Sequence, residues 1–320
     1  MSQFKENQNV AVIGGIWGFA WADVAAEQGH KVKVFNRNYQ DCSDFNLTHV
    51  YRRLPGHRLS ENIKATTNRD EALDGADVLV LATRFQNLRG LIKDIQGWSP
   101  KKGVLNLSKG LELGTNFRAQ QIVGEEHPEW LDIYGTWSGF NIASKIASGE
   151  RAEAHIASTS HETAIFFEEY FGRGRVSLIP TPDVIGSEFG GGLKNVMVMA
   201  KAMMDCLGID KIKGEDIMDL GEREMADIGE AYGASRETFK GPSGRDDFRG
   251  SVKHKSRNYL GGWRLGEGET ASDLEFSGVT YEGLHTIKPA FALAKVACVK
   301  AQLTEIVNNT AYPQAKILPV

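Results

Sequence analysis

The chain is 320 residues long, 41% hydrophobic and 24% charged, with a formal net charge of −4. That composition is ordinary for a globular protein and leaves room for a large core and two domains. The mildly acidic balance supplies no global field for nucleic acid or an acidic membrane, so neither is an expected partner and any anionic ligand needs a local site.

The N-terminal stretch "MSQFKENQNV" is polar and carries no apolar core of a secretion signal. "NVAVIG" then reads as a strand and "WGFAWADVAAEQG" as a helix, with Gly29 placed as a helix-terminating glycine. "HKVKVFNRN", "ADVLVLAT" and "GVLNLSKG" are further strands, followed less clearly by "WLDIYGTW", "EAHIAS" and "VSLIP". Helix-like stretches at 115–124 and 161–172 separate them. Alternation of this kind builds a parallel sheet covered on both faces.

After residue 182 the pattern changes. In "TPDVIGSEFGGGLKNVMVMAKAMMDCLG", Leu193, Val196, Met197, Ala200, Met203, Met204 and Leu207 recur at the spacing of a buried helix face. "GEDIMDLGEREMADIGEAYG" is a second helix, 240–268 lacks helical periodicity and reads as a long functional loop, and 282–306 reads as one more helix. No strand is expected here. The expected fold is therefore α/β: an N-terminal Rossmann-like doubly wound sheet at 1–182, binding a dinucleotide, followed by an all-α C-terminal domain at 183–320 that binds substrate and carries catalysis.

No run approaches the roughly eighteen apolar residues of a membrane span, so no membrane insertion is expected. The three cysteines, Cys42, Cys206 and Cys298, are widely spaced and form no C-x-x-C pair. Such a set suits a reducing compartment, and a cytoplasmic location is expected, without a disulfide framework or zinc site. The eight histidines show no metal-ligand spacing, and no metal is expected.

The turn "VIGGIWGFA" ends a strand and opens a helix with Gly14, Gly15 and Gly18. The dinucleotide fingerprint is G-x-G-x-x-G, and one residue is missing from it here. Two readings stay open: a nucleotide turn with a shortened loop, or an ordinary glycine-rich strand-to-helix turn. In the first, the start of the helix points N–H groups at a pyrophosphate. Arg37 then stands after the second strand, where an acidic residue would favour NAD; an arginine suits a 2′-phosphate, so NADP is favoured over NAD.

Chemistry-bearing residues lie in separate segments. Lys109 follows a strand in "NLSKGLELGT", and Lys194 with Asn195 interrupts an apolar helix face. Asp246 lies in "GPSGRDDFRG", and Arg257 and Asn258 in "HKSRNYLGG". A lysine among buried neighbours needs an acidic partner or a ligand anion and is suited to acid–base work.

On these segments the chain resembles the NAD(P)-dependent glycerol-3-phosphate dehydrogenase family in its bacterial form, over roughly residues 9–310. The motifs are "LSKGLELGT", "DVIGSEFGGGLKNV", "SRN" at Ser256–Asn258 and "YEGLHT" at Glu282–Gly283, with "GHKVKVFNRN", "RLPGHRLSENIKATT" and "GADVLVLAT" in support. The resemblance implies hydride transfer between NADH or NADPH and dihydroxyacetone phosphate, forming sn-glycerol 3-phosphate, and a place in glycerophospholipid metabolism. It implies Lys194 as general acid/base, Lys109 orienting and polarising, and Asp246 holding a lysine. Lys109, Asn195, Ser256, Arg257 and Asn258 would meet the phosphorylated substrate. Gly14, Gly15, Ile16, Trp17, Gly18, Arg37, Arg257 and Glu282 would meet the cofactor. The family's turn reads G-x-G-x-W-G, which makes "GGIWG" the nucleotide turn with one residue deleted. A homodimer is compatible with this architecture.

Departures cluster near the expected active site. The family's S-G-P-S-F-A-x-E becomes "SGFNIASK", so Phe140 and Asn141 replace a proline and a serine, and Lys145 replaces a glutamate. A proline and serine after an earlier strand become Arg84 and Phe85. Four positions after Asp246, Gly250 stands where the family carries a threonine. The alternatives are a paralogue for another phosphorylated hydroxy-ketone or hydroxy acid, and a non-catalytic binding protein on the same fold.

Overall fold

The computed structural model describes residues 7–95 and 97–313. Residues 1–6 and 314–320 of the two expected domains, together with Gln96, lie outside the described residues. The chain divides into two units. One runs to Ser108 and resumes at Ala119–Val184; the other takes Lys109–Arg118 and everything from Ile185 onward.

The first unit is built from β1 (Asn9–Gly14), α1 (Ile16–Glu27), β2 (Lys31–Phe35), α2 (Tyr39–Thr48), β3 (Ile63–Thr66), α3 (Arg69–Leu73), β4 (Val78–Ala82), α4 (Leu88–Lys93), β5 (Gly103–Asn106), α5 (Ala119–Glu126), β6 (Tyr134–Ser138), α6 (Ala143–Ala147), β7 (Ala152–Ala157), α7 (His161–Phe171) and β8 (Val176–Thr181). The strands form one sheet in the order β3-β2-β1-β4-β5-β6-β7-β8. Every pairing is parallel except β6 with β7. The order reverses at β1, which pairs β2 on one side and β4 on the other, so the crevice of an open α/β sheet falls at the end of β1. β4, "VLVLA", is buried throughout, as a central parallel strand must be. Helix α1 is buried at every position from Gly18 to Ala26, and Gly29 follows it at φ +93°.

Three boundaries differ from the periodicity reading, each for a local reason. β3 is only "IKAT", a sheet-edge strand too short to show alternation. α5 starts at Ala119 rather than 115, because Asn116 at φ +63° belongs to a turn. "WLDIYGTW" is a 3₁₀ turn over Pro128–Ile133 followed by β6.

The second unit holds α8 (Val184–Cys206), a two-residue hairpin of β9 (Lys211–Ile212) and β10 (Glu215–Asp216), then α9 (Ile217–Ala231), α10 (Asp247–Lys253), α11 (Arg257–Gly266), α12 (Ala271–Phe276), α13 (Glu282–Val296) and α14 (Gln302–Ala311). It is helical apart from that hairpin, which turns on Lys213 and Gly214, both at positive φ. The stretch 240–268 is not a loop. It holds a single π turn (Pro242–Asp246), α10 and α11. Its buried face escaped the periodicity reading because much of it is glycine: a Cβ on Gly262 would come within 2.2 Å of the Met199 carbonyl oxygen. The expected helix at 282–306 is two helices, separated where Cys298 takes φ +54°. No helix among the described residues is long and apolar enough to cross a membrane.

Candidate functional site

Helix α8 organises the charged groups of the second unit. Its "GGG" removes side chains where other backbone must approach: a Cβ on Gly190 would lie 2.6 Å from the Ser243 carbonyl oxygen, and one on Gly192 3.2 Å from that of Gly110. The π turn and the 109–118 segment therefore press close to α8, and Lys109 and Lys194 converge on Asp247 at the start of α10. Lys109 Nζ lies 2.6 Å from Asp247 Oδ2, and Lys194 Nζ lies 2.9 Å from Asp247 Oδ1. Lys194 also donates to Ser251 Oγ at 2.9 Å, and Ser251 Oγ lies 3.3 Å from Asp247 Oδ1.

The cluster is two ammoniums on one carboxylate. Side-chain exposure is 22% for Lys109, 11% for Lys194 and 2% for Asp247, so the charges are largely withdrawn from water. Burial pushes the Lys109 ammonium below the usual lysine range; Asp247 pulls it up and Lys194 pushes it down again. Burial would raise the Asp247 carboxyl, but the ammoniums of Lys109 and Lys194 overcome it and hold the group below the usual carboxylate range. Two ammoniums gathered at one buried carboxylate form an arrangement suited to receiving an anion or stabilising a developing alkoxide.

This geometry corrects one expected residue. The carboxylate holding the lysines is Asp247, not Asp246, whose half-exposed side chain faces Arg245 at 3.5 Å. The reason is helical register: Asp247 opens α10 and points the same way as Ser251, four residues on. The hydroxyl expected as absent at Gly250 is thereby present at Ser251. The sequence reading takes Asp246, the first of two adjacent aspartates in "RDDF"; the four-residue step to the Ser251 hydroxyl is the signal that could have distinguished Asp247.

Asn195 and Asn258 are also brought together. Asn258 Nδ2 donates to Asn195 Oδ1 at 2.8 Å, and Asn258 Oδ1 accepts from the Gly283 N–H at 3.0 Å. Glycine is required at 283, because a Cβ there would meet the Asn195 carbonyl oxygen at 2.7 Å. Ser256 caps α11 through the Tyr259 N–H, and Arg257 is exposed on the first turn of that helix. Glu282 is half-buried at the start of α13.

The glycine turn belongs to the first unit. A Cβ on Gly14 would come 2.5 Å from the Ala82 carbonyl oxygen of β4, and one on Gly18 would come 3.2 Å from Val12 Cγ1. These two glycines are explained by packing. Gly15 is not: a Cβ there meets nothing within 4 Å. Gly15 immediately precedes α1, and the first helical hydrogen bond runs from the Phe19 N–H to its carbonyl at 3.0 Å. The N–H groups of Ile16, Trp17 and Gly18 thus have no acceptor within the helix, and no acidic side chain stands in its first turn. Arg37 is exposed just beyond β2, whose Phe35 lies in register with Ile13. Open space at Gly15, free helix-start donors and a neighbouring guanidinium fit a dinucleotide phosphate site.

The altered segments have structural identities too. Phe85 is buried while Arg84 is exposed. Lys145 pairs with Glu150 at 3.1 Å. Asn141 Oδ1 accepts from Trp137 Nε1 at 2.8 Å. Because an indole nitrogen only donates, this bond fixes the amide's orientation. Asn141 Nδ2 and Ser138 Oγ are buried without a hydrogen-bond partner among the described residues.

Two family profiles match this chain: the N-terminal part of NAD-dependent glycerol-3-phosphate dehydrogenase over residues 9–164, and its C-terminal part over 183–318. A glycerol-3-phosphate dehydrogenase (NAD(P)+) from Geobacillus kaustophilus is 32% identical over 311 residues, covering 95% of this chain and 90% of the relative. A second such relative, from Mycobacterium tuberculosis, is 32% identical over 314 residues, covering 95% and 92%. Among solved structures, glycerol-3-phosphate dehydrogenase from Coxiella burnetii superimposes with a TM-score of 0.84 at 24% identity, over 96% of this chain and 95% of that one.

Proposed function

The chain belongs to the NAD-dependent glycerol-3-phosphate dehydrogenase family, and from that premise we propose how its residues divide the reaction. It is an oxidoreductase that interconverts dihydroxyacetone phosphate and sn-glycerol 3-phosphate with NADH or NADPH. When bound, the reduced nicotinamide supplies the hydride to the carbonyl carbon. This chain's residues must hold both molecules and deliver one proton to the carbonyl oxygen.

The observation that carries this reading is the Lys109–Asp247–Lys194 cluster. Lys194 uses two of its three N–H directions on Asp247 and Ser251, and the third is assigned to a substrate oxygen. Lys194 gives its proton as that oxygen becomes an alkoxide and takes it back in the oxidative direction. Lys109 orients the same oxygen and offsets its charge. Asp247 keeps both ammoniums in place, where they favour the alkoxide-bearing transition state over the neutral ketone. Arg257, with Ser256 and the Asn195–Asn258 pair, is assigned to the substrate phosphate. An exposed guanidinium at a helix start suits that dianion.

Gly14, Gly15, Ile16, Trp17 and Gly18 are assigned to the dinucleotide pyrophosphate, Arg37 to a 2′-phosphate, and Arg257 and Glu282 to further cofactor contacts. NADP is the favoured cofactor on this reading. Functionally, residues 1–182 serve the nucleotide and 183–320 the substrate, with Lys109 contributed across that boundary. A cytoplasmic location, in keeping with three free cysteines, and a homodimer complete the proposal. A second substrate, another phosphorylated hydroxy-ketone, has the unpartnered Asn141 amide in its favour, since that donor suits an additional acceptor.

The test is oxidation of NADPH, then NADH, by purified protein with dihydroxyacetone phosphate. The expected result is turnover that falls about 10²–10⁴-fold in a folded Lys194→Ala variant. A folded wild-type protein without turnover on either nucleotide would overturn the assignment, as would a Lys194→Ala variant of full activity.

A further inference from the structure

Residues 109–118 come from the first half of the chain yet pack in the helical unit. Each end of this strap terminates in a charged pair. At its start Lys109 meets Asp247. At its end Arg118 Nη1 donates to Glu188 Oε2 at 2.7 Å, with side-chain exposures of only 10% and 4%. The Arg118 guanidinium also lies 5.7 Å from the centre of the Phe189 ring. Between the ends the strap closes on itself: the Glu112 N–H donates to the Phe117 carbonyl and the Asn116 N–H to the Glu112 carbonyl, both at 2.9 Å. Leu111 is fully buried in the helical core.

Two of the strap's meetings with α8 set its register. Glu188 receives Arg118, and Gly192 admits the Gly110 backbone. These positions are four apart and therefore share one helix face. Lys194 follows two residues later on the same helix. Fixing the strap against α8 thus fixes Lys109 relative to Lys194. Stability alone gives little reason for a buried arginine–carboxylate pair, because apolar residues of similar size hold comparable segments at equal or lower cost. What a directional guanidinium pair adds is register.

We infer that Arg118 and Glu188 form a positioning clamp that sets the Lys109 ammonium in the charged cluster. The inference rests on the proposed role of Lys109. Neither clamp residue is assigned a contact with substrate or cofactor; both act through the strap.

The test replaces both charges together, Arg118→Met with Glu188→Met, so that no lone charge is left buried. Arg118→Lys is the conservative variant, which keeps the charge and loses the fork. Turnover is measured in the wild-type and Lys109→Ala backgrounds, and Lys109 acylation by acetic anhydride is followed against pH by peptide mass spectrometry. The expected result is a folded double variant with kcat reduced about tenfold or more, on the scale of a small misplacement, and an unchanged KM for NADPH. The pH midpoint of Lys109 acylation shifts, and Arg118→Lys falls between the two. In the Lys109→Ala background the double replacement has no further effect on kcat. Unchanged kcat, or the same loss with and without Lys109, would overturn the clamp. Full turnover by Lys109→Ala alone would instead overturn the role of Lys109, and the clamp with it. If the double variant does not fold, Arg118→Lys with wild-type kcat and wild-type acylation still refutes the inference.

Discussion

Buried titratable side chains in this protein are held by partners that fix their protonation, and His30 shows the consequence for stability. His30 Nδ1 accepts from the Gln8 N–H at 3.1 Å, so its proton resides on Nε2, which donates to the Tyr170 carbonyl at 2.9 Å. The ring is therefore neutral. Burial pushes its pKa below the ordinary histidine value; the Tyr170 carbonyl opposes this and Arg173 adds to it. A group with a depressed native pKa is protonated more readily in the unfolded chain. Its contribution is complete above the unfolded value of about 6.5 and is lost as pH falls through the native value. Chemical denaturation between pH 7.5 and 5 should show wild type losing its advantage over His30→Gln. The gap should close by up to about 1.4 kcal/mol per pH unit. Parallel curves would mean that His30 does not carry this proton linkage. At this scale the surroundings of Lys194 marked it in the sequence as a buried charge in need of an acidic partner, which Asp247 provides, whereas Lys109, Asn195 and Asn258 drew their roles from the resemblance. Asp247 itself was less legible, because two adjacent aspartates differ only in helical phase, which the chain does not display until α10 has a defined start.

Helices in the second unit are fixed by tertiary groups as much as by their own sequences. α14 begins after Ala301, which offers no side-chain cap. Its first N–H groups are satisfied from α9 instead: Glu224 Oε2 accepts from Leu303 and Oε1 from Thr304, each at 2.8 Å. Glu224 is completely buried, and burial raises its carboxyl pKa against these hydrogen bonds. Glu224→Gln turns one acceptor into an NH₂ facing a backbone donor. We expect a loss of about 1–3 kcal/mol in denaturant unfolding, with catalytic constants per folded molecule unchanged. A variant as stable as wild type would show that α14 needs no such cap. The same dependence explains which elements could be read in advance. α8 was legible because its buried face is a run of large apolar residues. α11 was not, because Gly261 and Gly262 form part of its buried face and hydropathy periodicity does not register a contact made by backbone.

At the scale of the whole molecule the groups assigned to the dinucleotide phosphates, Gly14–Gly18 and Arg37, lie in the first unit, while Arg257 and Glu282, assigned to further cofactor contacts, lie in the second. The largely parallel sheet was legible from strand–helix alternation, while its switch point at β1 came only from the strand order. The transfer of Lys109–Arg118 to the helical unit was not legible, because it depends on distant partners: Arg118 meets Glu188 across 70 positions of the sequence, and Gly110 meets Gly192 across still more. Nucleotide binding offers a measure of the first unit. A ligand that binds only the folded chain stabilises it by about 2.7 kcal/mol at one hundred times its dissociation constant. NADPH should therefore raise the melting temperature more than NADH at equal concentration, because only NADPH brings a 2′-phosphate to Arg37. Arg37→Ala should remove that difference while leaving the NADH shift in place, since the donors at the start of α1 are untouched. The shift should also weaken with added salt, as an exposed guanidinium–phosphate contact does. Equal shifts for the two nucleotides in wild type would remove Arg37 from cofactor selection. No shift with either would mean that the three-glycine turn, although it presents an open Gly15 and free helix-start donors, does not hold a pyrophosphate.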